Sequence, residues 1–149
     1  MNAYQELRIK HQKEFNEFPM HFAFGQEQID RKIKELGLSK DPKKRAEQIV
    51  GIGGGGFVLK KDYPAFIDMC RRHAKERAEA IAEGENGGTY LYDMFRTELE
   101  NHEFGYTRSY SDTLYALGLT LEEIEAKPAM KEAFEKAVND IIEWENEHD

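Results

Sequence analysis

Apolar residues recur at three- and four-residue intervals along most of the chain, and glycine or proline punctuates the gaps. Tyr4, Leu7, His11, Phe15 and Phe18 lie on one face of a helix predicted over residues 2–18, which Pro19 stops. The period then shortens. Phe18, Met20, Phe22 and Phe24 alternate with Pro19, His21 and Ala23, the pattern of an extended segment with one buried side. Ile29, Ile33 and Leu36 stripe a second helix over residues 26–36, and Gly37 terminates it. Asp41-Pro42 supplies an N-cap and a proline at the first helical position, where its missing amide costs nothing, for a short helix to about Ile49.

The second half reads the same way. After the glycine-rich run Gly51–Gly56, Phe57-Val58-Leu59 predicts a short strand. Asp62 caps the clearest helix, residues 63–82, whose apolar positions are Phe66, Ile67, Cys70, Ala74, Ala78 and Ile81. Gly84, Gly87 and Gly88 are expected to break the chain. Thr89 then caps a helix over 90–101 that buries Leu91, Met94, Phe95 and Leu99, and Gly105 ends that region. Ser111 and Asp112 start a short helix through Leu117, stopped by Gly118, and Thr120 to Glu123 has the spacing of a capping box. Pro128 opens the last helix, where Met130, Phe134, Ala137, Val138 and Ile141 line one face to Trp144. The expected fold class is mainly α: a single compact multi-helix domain over residues 1–149, with a small two- or three-stranded β element near residues 20–24 and 57–59. No period of 20 to 50 residues repeats, and no low-complexity linker divides the chain.

Composition sharpens this picture in two respects. The 149 residues are 40% hydrophobic, with nine Phe, seven Tyr and one Trp, enough large side chains to build a core despite 34% charged residues. The lone Cys70 can form no intrachain disulfide, which fits a reducing compartment, and its place on an apolar stripe favours a buried structural thiol. The charged N-terminal residues do not form a signal peptide, and no stretch approaches the roughly 20 apolar residues of a membrane span, so a cytoplasmic setting without a membrane partner is expected. The net charge of −8 is unevenly placed. Residues 83–149 hold seventeen Asp and Glu against five Lys and Arg, whereas everything before them is mildly basic.

Candidate chemistry is sparse. Gly51, Gly53 and Gly56 satisfy G-x-G-x-x-G, and Val58 extends it to the kinase-loop form, but no helix follows at once, no H-R-D or D-F-G occurs, and Phe57 stands where a Walker loop needs lysine. The simpler expectation is a turn that needs positive φ or close packing; alternatively Gly53, Gly54, Gly55 and Gly56 with Lys60 and Lys61 form a backbone surface that a partner touches. His102 could serve as a base beside Glu103, yet a helix-terminal His bonded to a carbonyl explains it more simply, and the other histidines are dispersed. No catalytic residue, metal site or cofactor is called for. The basic stretch Lys60 to Arg77 reads as a solvated helix face, which with the overall charge disfavours direct nucleic-acid binding. The acidic residues Glu122, Glu123, Glu125, Glu132, Glu135 and Asp140, with Tyr106 and Tyr110 nearby in sequence, are the candidate partner-binding positions, because rows of carboxylates can occupy a basic groove.

Several phrases resemble an uncharacterised family of short bacterial proteins also found in phages and other mobile elements. They are Phe18-Pro19-Met20 with Phe22-Ala23-Phe24, Gly53 to Lys61, Glu98 to Glu103, and Asp112-Thr113-Leu114 through Ala116 to Thr120. The resemblance supplies no activity for any residue. What it implies is a mobile-element setting, in which small acidic proteins inhibit host defence or nucleic-acid enzymes. The expected function is therefore a non-enzymatic interaction protein, an anti-CRISPR-like inhibitor of a host or phage protein with a basic groove. The alternative is a small nucleotide- or metal-binding enzyme using the Gly51–Gly56 loop and His102.

Overall fold

Helices dominate the computed structural model, which describes residues 1–149. In chain order the elements are α1 (Ala3–Glu17), β1 (His21–Phe22), α2 (Gln26–Leu36), α3 (Pro42–Arg45), β2 (Ile49–Gly53), β3 (Gly56–Leu59), a 3-10 turn (Lys60–Asp62), α4 (Tyr63–Glu85), α5 (Tyr90–Asn101), α6 (Phe104–Thr107), α7 (Ser111–Leu117), α8 (Leu121–Glu125) and α9 (Pro128–His148). The mainly α class and the small sheet are as the periodicity predicts. The chain divides into two compact units, one of residues His11–Lys75 and one of Met1–Lys10 with Glu76–Asp149.

The first unit holds the sheet, antiparallel throughout in the order β1-β3-β2. The third strand, β2, lies outside the two stretches expected to be extended, residues 20–24 and 57–59. The helix starting at Asp41-Pro42 was expected to reach about Ile49, but α3 stops at Arg45, and the β-branched Ile49 and Val50 pair with Leu59 and Val58. Their stiff side chains suit a pleated surface better than a helical one. The helix start is as read: the Asp41 side chain accepts from the Lys43 amide at 3.1 Å. Gly37 ends α2 in the left-handed region, φ 65°. Val58 is fully buried, and Phe66 on α4 receives Phe15 and Phe18 edge-on at 6.0 and 5.6 Å between ring centres.

In the second unit α5 is enclosed. Leu91, Phe95 and Leu99 have essentially no exposure, and Tyr4, Phe104, Leu114, Ile124, Met130, Phe134, Ala137 and Ile141 pack around them. Each large side chain buried in this way stabilises the fold by roughly 1.5–3 kcal/mol relative to exposure. Two glycines expected to interrupt the chain do not. Gly84 lies inside α4, where a Cβ would meet the Leu91 side chain at 3.0 Å, and Gly105 lies inside α6. Each is glycine for the room it leaves, not for a break. Thr89 precedes α5 without bonding its amides, whereas the Thr120 hydroxyl accepts from the Glu123 amide at 3.1 Å and donates to the Glu123 carboxylate. No helix is long and apolar enough to cross a membrane.

Candidate functional site

Three faces of the second unit meet at one pocket. Arg96 and Glu100 come from α5, Glu103, Gly105 and Tyr106 from the α6 turn, and Ile141, Trp144 and Glu145 from α9, enclosing about 640 Å³. Helical spacing explains two of the walls: Glu100 lies four residues after Arg96 on α5, and Trp144 and Glu145 lie three and four after Ile141 on α9, so each set projects to one side, whereas Glu103 lies beyond the end of α5. The turn between them is held in an uncommon backbone. Glu103 (φ 57°) and Arg108 (φ 59°) are the two non-glycine residues with positive φ, and they bracket α6. This conformation presents Tyr106 at 90% exposure. Gly105 allows Glu145 to approach, since a Cβ there would lie 2.6 Å from the Glu145 carboxylate oxygen.

The pocket's electrostatics are lopsided. Glu100 accepts from Arg96 Nε at 2.8 Å, while Arg96 also donates to the Tyr92 hydroxyl at 2.9 Å, and the Glu100 bond above all holds the guanidinium more firmly protonated than usual. Glu103 and Glu145 make no ion pair. Three carboxylates therefore face one guanidinium. Trp144 is 49% exposed, and His148 stacks on its indole at 4.1 Å from outside the pocket walls.

The structure places the sequence-predicted partner residues differently from one another. Of them Tyr106 alone lines this pocket. Tyr110 is half-buried, with its ring edge-on to Phe134 at 5.5 Å. Asp140 accepts from Tyr92 and from Lys136, both at 2.7 Å; the Lys136 bond, then the Tyr92 bond, holds its carboxyl below the usual range. Glu132 and Glu135 share a shallow mixed-charge surface with Lys131 and Lys136, Glu122 and Glu125 are exposed on α8, and Glu123 is engaged by Thr120. Of the residues missed, Glu100 with Arg96, and Trp144 and Glu145 with Ile141, carried a signal in their i, i+3 and i, i+4 spacing on α5 and α9, whereas Glu103, beyond the end of α5, carried none.

His102 sits where helix-end logic puts it, with Nδ1 donating to the Glu98 carbonyl at 2.8 Å. Beneath it, Glu98 is only 4% exposed and accepts from Arg8 at 2.5 Å and Asn101 at 3.2 Å. Burial, then the charge of Glu98, pushes the Tyr4 hydroxyl well above the usual tyrosine range.

In the first unit the glycine run is a hairpin. Gly51 and Gly53 belong to β2, Gly56 opens β3, and Gly53, Gly54 and Gly55 all adopt positive φ, with a bulge between Gly51 and Gly53. Two aromatic rings lie close against it: a Cβ on Gly55 would meet Phe24 at 2.6 Å, and one on Gly56 would meet Phe22 at 2.6 Å. Gly56 leads into β3 and the 3-10 turn that carries Lys60 and Lys61, so no helix begins directly at the glycines. The histidines are less dispersed than their sequence positions suggest. His11 and His73 are buried and stacked at 3.9 Å, and Glu14 joins His73 Nε2 to Arg72. The Arg72 and His73 bonds pull the Glu14 carboxyl down from 4.5 to about 2. Cys70 is partly exposed, where a buried thiol was expected. No three His, Cys, Asp or Glu side chains are grouped so as to hold a metal ion.

No curated protein and no solved structure matches the chain. A family model does, over residues 3–140, and by that match the chain belongs to DUF7659, a family of unknown function.

Proposed function

We propose that this protein is a non-enzymatic interaction module whose acidic unit engages a basic surface on a partner protein. The observation that carries this reading is the pocket of Glu100, Glu103, Tyr106, Trp144 and Glu145, set in a unit with twenty Asp and Glu against eight Lys and Arg. Exposed aromatic rings beside unpaired carboxylates favour a partner that brings both positive charge and flat, apolar stems. The partner class is a host or phage protein with a basic groove, such as a nucleic-acid enzyme, and the role is inhibition by occupying the site of the phosphates. A mobile-element, anti-defence setting accords with that role.

Immobilised protein, incubated with bacterial lysate at low and moderate salt, should capture a basic protein. The captured protein, once purified, should bind directly with an affinity that falls as salt rises. The variant carrying Glu122, Glu123, Glu125, Glu132 and Glu135 all as Gln should bind it more weakly. Absence of any direct binder at low salt would overturn the reading. A melting temperature raised by nucleotides or divalent metals would favour instead a small ligand-binding enzyme built on Gly51–Gly56 and His102.

A further inference from the structure

The geometry points to a more specific occupant: the α5–α6–α9 pocket seats the guanidinium of one arginine side chain from the partner. This inference rests on the interaction reading above and names the group recognised. Three observations converge on it. The walls combine an indole and a phenol, both substantially exposed, with Ile141 at the base, a surface suited to a planar, weakly hydrated cation and its methylene stem. Glu103 and Glu145 stand there without ion pairs, whereas the third carboxylate, Glu100, already holds the resident Arg96 at 2.8 Å. That resident pair shows what this region does with a guanidinium: the Glu100 carboxylate takes Nε, and the phenol of Tyr92, outside the lining, takes Nη1. A second guanidinium would find similar chemistry in Glu145 or Glu103 and Tyr106, with Trp144 as its stacking face, and would halve the excess negative charge of the lining. A lysine ammonium fits less well, being strongly hydrated and unable to stack flat.

Trp144 is the only tryptophan in the chain, so its emission reports on this pocket alone. The probe is a short, otherwise neutral peptide containing a single arginine, compared with versions carrying lysine or uncharged citrulline. The arginine peptide should change Trp144 emission saturably, the lysine peptide should bind several-fold more weakly, and the citrulline peptide should have no effect. Glu145→Gln and Tyr106→Ala, both at accessible positions, should each weaken the arginine peptide by about tenfold, as expected for a charge-assisted hydrogen bond, with unchanged far-UV circular dichroism. Equal binding of citrulline and arginine, or no response to arginine, would overturn the inference. If a basic partner still binds when the arginine peptide does not, the interaction reading stands and this pocket assignment alone falls.

Discussion

Folding retunes the Glu14 carboxyl strongly. It titrates near 2 in the folded protein against an ordinary 4.5, because Arg72 and then His73 bond its charged form. A depressed folded value means the carboxylate contributes stability above pH 4.5, and the contribution is lost as pH falls from there towards 2. Glu14→Gln removes that dependence. Urea midpoints should therefore separate wild type from Glu14→Gln at pH 6 and converge as pH is lowered through 4 to 3. A constant gap would show that Glu14 acts by packing instead. At the hairpin, Gly55 combines positive φ with the Phe24 ring in the place of a Cβ, whereas Gly56 has no positive φ, and a Cβ there would meet the Phe22 ring and, at 3.1 Å, the Ile52 side chain. Gly55→Ala should accordingly cost about 1–3 kcal/mol, and Gly56→Ala less, since the half-exposed Phe22 ring can swing aside. Thermal unfolding of the two variants, alone and with Phe22→Ala, measures this. Phe22→Ala should rescue Gly56→Ala in part, the Ile52 approach remaining, and leave Gly55→Ala unchanged.

Elements whose boundaries depend on local chemistry were legible in the sequence, and those that depend on distant partners were not. Asp41-Pro42, Gly37, Gly118 and Pro128 mark helix ends because the cap or φ requirement lies within a few residues. Ile49 and Val50 offered no such signal, and only the pairing with Leu59 and Val58 makes them a strand. Gly84 and Gly105 misled for the related reason that a glycine chosen for a neighbour's close approach looks like a breaker. The pocket was half visible: its acidic and aromatic character could be read, but the meeting of α5, α6 and α9 needed tertiary structure. The His11, Glu14 and His73 group was hidden by a sequence separation of about sixty residues. α8 offers a check on the local half of this argument. It has five residues and is held by the Thr120 cap and the fully buried Ile124. Thr120→Ala should cost about 1 kcal/mol and Ile124→Ala about 2–5 kcal/mol, both read from denaturant unfolding.

Across the whole molecule, the residues of α1 as far as Lys10 belong to the acidic unit, together with residues from Glu76 onward. Tyr4 packs edge-on against Tyr90 at 5.7 Å, and Arg8 is the cation bonded to the buried Glu98. Deleting residues 1–10 should therefore unsettle α5, by about 3–5 kcal/mol where a buried carboxylate loses its partner. Glu98→Gln in the shortened chain should recover part of that loss. Amide exchange at Leu91 to Leu99 would show both effects, and unchanged protection would refute the assignment. The same closure sets an order of events during synthesis. At roughly 5–20 residues per second, the ninety residues separating Arg8 from Glu98 take about 5–20 seconds to make. Until Glu98 is made Arg8 lacks its partner, although Lys10 can already reach Glu76, and a helix segment this short is marginal in water on its own. The Arg8 end of α1 thus acquires its final surroundings well after it is made.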